Sequence, residues 1–324
     1  MTRPARLSVA HRWHALVWLG EGEMVHPQLG RYPAAKQVIA HVSDTHLLDG
    51  GAPLGGVADT VSALAQTARQ LQRYGTVLDA IVVTGDITDL GEPDAYARVR
   101  AVLEPVAAAA EARLVWVMGN NEERGPFRRD LLDAAVDTSP VHHVVDVDGL
   151  RIIALDTTVP GYHHGELGAD AIAWLDAALA EPAPNGTVLA MHHAPIATPV
   201  ALMDVLELRG QDELARVLRN HDVRLILGGH LHYPTNGSFA GIPVAVAGAT
   251  AYTIDVSATP PELLGVDGGR SFNLVHLFDD GVVTSVVPVG PFATVSNFDD
   301  DFLAQIEALP PAERLERFSR KPTA

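Results

Sequence analysis

Ile81-Val82-Val83-Thr84-Gly85-Asp86 decides how this chain folds. Three apolar β-formers run into a glycine, and an aspartate follows where a strand must end. An unbroken apolar run of that length reads as a parallel strand buried on both faces. Open α/β sheets bind ligands beyond the carboxyl ends of such strands, which places Asp86 where chemistry happens. A strand-ending Asp also caps helices and starts turns, so one such residue carries little alone. Four further runs end in the same manner: Ile39 to His46, Leu114 to Asn120, Val188 to His193 and Leu225 to His232. Five strand tips delivering Asp, His and Asn to one edge describe a metal site.

The bulk composition narrows the function class. A chain of 324 residues with 47% hydrophobic and 19% charged residues has enough apolar material for a large α/β core. The formal charge of −17 argues against a nucleic-acid surface, which needs a basic stripe. It does not exclude an anionic small molecule, because bound cations reverse the sign of the field locally. With no Cys, thiolate nucleophiles, disulfides and Cys-type zinc sites are excluded, whereas fifteen His leave imidazole ligation open. No uninterrupted apolar stretch is long enough to span a bilayer. The run Ala15-Leu16-Val17-Trp18-Leu19 is short for a signal h-region and lacks a small-residue cleavage pattern, so a cytoplasmic location is expected.

Working outward from Asp86, residues 57–74 carry apolar positions at helical spacing, and Pro93 suits the first turn of a second helix. With the strands ending at Asp44 and Asn120, β-α-β-α-β is complete by residue 120. Val144 to Val147, Asp148-Gly149 and Leu150 to Leu155 spell a β-hairpin. Helices near 168–180 and 210–219 alternate with the His192 and His230 strands, and 238–249 and 271–288 read as short strands. The expected fold is an α/β, four-layer α-β-β-α sandwich of two mixed sheets with flanking helices. Its metal site lies at the C-terminal strand tips. Residues 1–36 read as a poorly structured extension, 37–290 as the main domain and 291–324 as a helical tail. That tail is free to dock on the body or on a partner, and a homodimer is one expected assembly.

Asp44-X-His46 and His230-X-His232 each read as two ligands on one face of an extended segment, since alternate strand residues point the same way. Asp86 has two carboxylate oxygens with which to bridge cations, and Asn120 adds a neutral amide oxygen. Mixed oxygen and nitrogen ligation suits two borderline divalent ions such as Mn, Fe or Zn. Two such ions about 3.5–4 Å apart form the recurring clamp for in-line displacement at phosphorus.

The set Asp44-X-His46, Gly85-Asp86, Gly119-Asn120, His192 and Gly229-His230-X-His232 resembles the calcineurin-like metallophosphoesterase superfamily over about residues 38 to 290. The wider context, including Gly161-Tyr162-His163-His164-Gly165-Glu166, is similar to mycobacterial class III cyclic-nucleotide phosphodiesterases. The resemblance implies Asp44, His46, Asp86 and His232 at one metal and Asp86, Asn120, His192 and His230 at the other. It implies hydrolysis of a small phosphodiester, such as a 3',5'-cyclic nucleotide or an aryl diester, by hydroxide generated at the metals. A phosphomonoesterase, a nucleotide pyrophosphohydrolase and a low-turnover phosphate sensor are the alternatives on the same scaffold. One departure stands out: Gly119-Asn120-Asn121-Glu122 places Asn121 where the family carries a His that contacts phosphate. Asn121 can donate a hydrogen bond but cannot release a proton. Asp86, Asn120, Asn121 and His193 form the expected catalytic set, and Asn121, His163 and His164 the expected substrate contacts. His193 also fits a supporting role, since it points to the other strand face from His192. His142, His143, His221 and His276 read as structural or surface residues, and Arg128 and Arg129 as a solvated helix face.

Overall fold

In the computed structural model, which describes residues 17–19, 23–25, 28–259 and 262–321, the Ala80–Thr84 strand pairs in parallel with Gln37–Val42 and Arg113–Val117. Ser271–Leu277 and Val282–Pro288 extend that sheet by antiparallel pairing beyond Gln37–Val42, giving five mixed strands. A second sheet has six strands in the order Thr235–Phe239, Ile242–Val246, Val223–Gly228, Thr187–Met191, Leu150–Leu155 and His143–Val147. Its inner four are parallel and its two edges antiparallel. The Asp148-Gly149 turn closes the last pair, and both residues take the positive φ (48° and 83°) of a tight primed turn.

Strand alternation explains the layers. Val38, Ala40, Val42, Ile81 and Val83 share a core with the helices Thr60–Leu71 and Pro93–Ala110. Their strand neighbours Ile39, Ala80 and Val82 instead meet Ile152, Ala154, Val188, Ala190, Leu225 and Leu227 of the second sheet. The opposite face of that sheet, with Ile153, Leu155, Leu189 and Ile226, packs on the Ala169–Leu179 and Gln211–Leu218 helices. Both faces of each parallel strand are therefore apolar, which is why Ile81 to Val83 reads as an unbroken run. The four-layer α-β-β-α sandwich is observed as expected.

Some boundaries differ. The helix expected over 57–74 spans Thr60–Leu71, because the Asp59 carboxylate accepts from Ser62 N (2.9 Å) and starts it there, leaving Val57 exposed. The first of the strands expected over 238–249 begins earlier, at Thr235. Most of the extension expected over 1–36 lies outside the described residues; within it, Val17–Leu19 pairs antiparallel with Glu23–Val25. In the tail, Asp299 caps the Asp300–Glu307 helix, and the Phe302 ring packs between Phe298 and Phe318 (5.0 and 5.4 Å). Among the described residues, no helix is long and apolar enough to cross a membrane.

Candidate metal centre

The strands stop short of the residues they deliver. Gln37–Val42 ends two residues before Asp44, and Asp44 (φ 52°), His46 (42°), Asp86 (47°), His230 (69°) and His232 (61°) all lie in the left-handed region. The extended reading of Asp44-X-His46 and His230-X-His232 is thus corrected: these pairs sit on tight loops, and their side chains meet through backbone reversal. A left-handed non-glycine residue costs about 1–2 kcal/mol, so five of them cost roughly 5–10 kcal/mol. Loop-to-loop hydrogen bonds offset that strain. Asp44 N donates to Gly85 O (3.0 Å), His46 N to Asp86 O (3.0 Å), Gly229 N to His192 O (2.9 Å) and Ala251 N to Asp44 O (3.1 Å).

Asp44, His46, Asp86 and His232 are all buried and bring one ligand atom each within 4.8 Å of the others. His46 Nδ1 faces the Asp89 carboxylate (2.9 Å), which fixes the proton there and leaves Nε2 as a lone pair facing inward. That Nε2 lies 3.1 Å from His232 Nε2 and 3.6 Å from Asp86 Oδ2. His192 behaves alike. Its Nδ1 donates to the Thr84 carbonyl (2.7 Å), so Nε2 presents a lone pair to Asn120 Oδ1 (3.1 Å) and Asp86 Oδ2 (3.4 Å). His230 Nε2 donates to Leu206 O (3.2 Å), leaving Nδ1 free to bind. Lone pairs converging on lone pairs in buried surroundings repel unless a cation lies among them, so the donor set fits metal ions. Asp86 Oδ2 reaches both groups, as a bridging carboxylate must.

The charges point the same way. Although burial opposes it, the Asp86 carboxylate pushes His192 up to about 9, so the surroundings favour positive charge at this ring. Asp86 itself is held well below the usual carboxylate range, against its own burial, by His192 and His46. Burial, with Asp86 nearby, raises Asp44 to about 6.

His193 lies in a second cluster with His192 and His230. Both of its ring nitrogens are already engaged: Nε2 donates to the His163 carbonyl (3.1 Å), and Nδ1 accepts from the Thr157 hydroxyl (2.7 Å). No lone pair is left for a metal. The other expected contacts separate clearly. Asn121 N donates to Asp86 Oδ1 (2.9 Å), and its side-chain amide lies between Asn120 and His46 (both 3.2 Å). The His163 ring is exposed at the rim, 3.1 Å from the Asn120 amide. His164 turns away, edge-on to Tyr162. His142 stacks on Trp174, His221 pairs with Asp176, and Arg128 bonds Ser139 and Pro140.

The motifs name some of the supporting residues, Gly119 and Glu122 among them, but not what they do. Buried Glu122 accepts from Ile87 N (2.8 Å), Thr88 N (3.1 Å) and Gly119 N (2.8 Å), tying the Asp86 loop to the Asn120 loop. A side chain at Gly119 would collide with the backbone and carboxylate of Asp86, so only glycine lets the two loops approach. Tyr252 packs on the His232 ring at 4.4 Å. Asp89 had a signal, standing three residues after Asp86 on the same loop, but its partner His46 is 43 residues away.

The family model for calcineurin-like phosphoesterases matches residues 38–234, which include every candidate ligand. The chain belongs to the calcineurin-like phosphoesterase family. It is therefore a hydrolase of phosphate esters; the family uses a dimetal centre, and this chain clusters buried groups that could hold metal ions. The chain is 49% identical, over 82% of its length and 84% of the relative's, to a cAMP/cGMP dual specificity phosphodiesterase of Mycobacterium tuberculosis. It is 29% identical to a glycerophosphodiester phosphodiesterase of Enterobacter lignolyticus, over 67% of this chain and 78% of that one. Purple acid phosphatase from yellow lupin (Lupinus luteus) seeds shares the fold, with a TM-score of 0.57 at 13% identity over 81% of this chain and 57% of that chain.

Proposed function

We propose that this phosphoesterase hydrolyses phosphodiesters, 3',5'-cyclic nucleotides and aryl diesters among them, with two divalent transition-metal ions. Asp44, His46, Asp86 and His232 would hold one ion, and Asp86, Asn120, His192 and His230 the other. Fe, Mn and Zn suit this mixture of carboxylate, amide and imidazole. The observation that carries the reading is Asp86 Oδ2 lying 3.6 Å from His46 Nε2 and 3.4 Å from His192 Nε2, one carboxylate serving two converging donor sets. Such ions supply Lewis-acid stabilisation of the phosphoryl charge and an acidified water as nucleophile.

The chain's own residues do the rest. Asp89 and the Thr84 carbonyl fix the protons on His46 and His192, so that both Nε2 atoms face the cluster. Asn121 and the His163 ring, flanking Asn120, bind and orient the phosphate. The diester preference draws support from two relatives whose names specify different diesters, and cyclic nucleotides from the relative at 49% identity. The test strips metal by chelation and restores Mn, Fe or Zn in turn, on cAMP, a bis-aryl diester and an aryl monoester. Diester turnover that returns with metal is expected. Turnover of the monoester alone would move the reading to a phosphomonoesterase.

A further inference from the structure

His193 is buried at 1% exposure, between two candidate ligands, yet its bonds lead away from them. Its ring lies 4.9 Å from that of His192 and 4.6 Å from that of His230. A carbonyl oxygen can only accept, so the 3.1 Å contact with His163 O assigns the proton to Nε2. Nδ1 is then an acceptor, matched by the Thr157 hydroxyl at 2.7 Å. The neutral ring is satisfied at both ends, and both partners belong to one segment, Thr157 to Gly165.

That segment passes directly over the ring. A Cβ on Gly165 would fall 2.5 Å from His193 Cγ and 2.6 Å from Nδ1, so the loop lies against the imidazole with no room between. The far end of the segment is tied to a second loop, where Gly165 N donates to Glu207 O (3.3 Å). The neighbouring Leu206 carbonyl accepts from His230 Nε2 (3.2 Å). The side chain carried at the turn of this clasped loop is His163, whose ring stands 3.1 Å from the Asn120 amide.

We propose that His193 is a positioning residue: it binds no metal and no substrate, and it pins the Thr157–Gly165 loop so that His163 stands beside Asn120 at the phosphate position. This rests on the phosphodiesterase reading for its kinetic consequence, and its geometric part can be tested without it. Removing a partner that orients a residue at a metal site typically costs about 10–100-fold. His193→Ala should lower kcat/KM on an aryl diester by about that factor while the metal content per chain stays at the wild-type value. His193→Gln, which keeps an N–H donor and an oxygen acceptor, should recover part of the loss. In a His163→Ala background the same His193→Ala change should cost no more than about twofold, because residues acting through one another are not additive. Gly165→Ala, which lifts the loop while leaving His193 in place, should reproduce the defect and covers the case in which His193→Ala does not fold.

Independently of turnover, limited proteolysis within residues 157–165 should be faster in His193→Ala than in wild type at matched distance below Tm. Loss of a metal equivalent in His193→Ala would make it a ligand and overturn the proposal. Full additivity with His163→Ala, or unchanged proteolysis of the loop, would overturn it as well. Wild-type protein that turns over no diester when metal-loaded would remove the phosphodiesterase reading instead, and the proteolysis result would still decide whether His193 pins the loop.

Discussion

The two sheets supply the site differently. The five-stranded sheet brings Asp44, His46, Asp86 and Asn120, mostly oxygen donors, on loops braced within that half by the Asp44–Gly85 and His46–Asp86 backbone bonds and by Glu122. The six-stranded sheet brings His192, His230 and His232, all nitrogen donors, and much of their placement depends on the other half. His192 Nδ1 donates across the sandwich to Thr84 O, and His230 N donates to the Asp44 carboxylate (3.2 Å to each oxygen). The first half is a preformed acidic cradle; the second is set in register against it. Changes in the first half should therefore spread to both groups of ligands, and changes in the second should stay local.

The largest expected effect is at the shared carboxylate. Asp86→Ala removes a side chain that reaches both groups, so metal analysis should show both ions weakened together. Since metal stabilisation of phosphoryl charge is worth several kcal/mol, kcat/KM should fall by about 10³-fold or more. His230→Ala should instead release one ion and spare the group around Asp44. If Asp86→Ala lost only one ion, or His230→Ala lost both, the contrast between the halves would collapse.

A smaller effect is expected at the brace. Glu122→Gln keeps the shape of the side chain, but its amide nitrogen cannot accept, so at least one of three backbone N–H groups loses its partner. Leaving such a buried group unpaired costs about 1–3 kcal/mol, readable as a lower denaturation midpoint with an unchanged slope. An unshifted midpoint would mean that water satisfies those groups and that the cradle is not braced by Glu122.

Each half also carries a neutral His away from the ligands, buried in the first and half-buried in the second. Burial lowers His41, in the first sheet, to about 3, and His143, in the second, to about 4, the neighbouring His142 adding to the latter. Both depressions mean that the unfolded chain takes up protons below about pH 6.5 while the folded chain refuses them. Their stability contribution is full above that pH and is lost as pH falls toward 4. Melting curves should show Tm falling across this window, and His143→Leu should make the fall shallower. An equal fall in both proteins would remove His143 from the account.

The smallest effect should come from Asn121→His. If the missing proton donor limits the rate, the substitution should help a diester with an alkoxide leaving group more than one with a phenolate, by up to about 10²-fold. Parallel changes in kcat/KM on both substrates would show that Asn121 only hydrogen-bonds the phosphate.

Much of this architecture was legible in the amino-acid sequence. Apolar runs ending in Asp, Asn or His disclosed the strands and the donor groups near their tips, because a strand buried on two faces writes its pattern locally. The Asp148-Gly149 turn and Pro93 at a helix start were legible for the same reason. Conformation at the tips was not: an Asp-X-His pair reads alike on a strand and on a left-handed loop, and only the pairing of Asp44 N with Gly85 O and His46 N with Asp86 O selects the loop. His163 and His164 are adjacent and chemically identical, yet one faces Asn120 and the other Tyr162.

By itself, then, the amino-acid sequence determined the strands, the helices and the chemical identity of the donor groups, because each depends on residues within a few positions of one another. The meeting of His46 with His232, 186 residues apart, was decided by the tertiary structure. So were the bracing of two loops by Glu122, and the hydrogen bonds that occupy His193 on both sides. Those depend on how two sheets dock face to face, and a contact between distant segments leaves no periodic trace in either one.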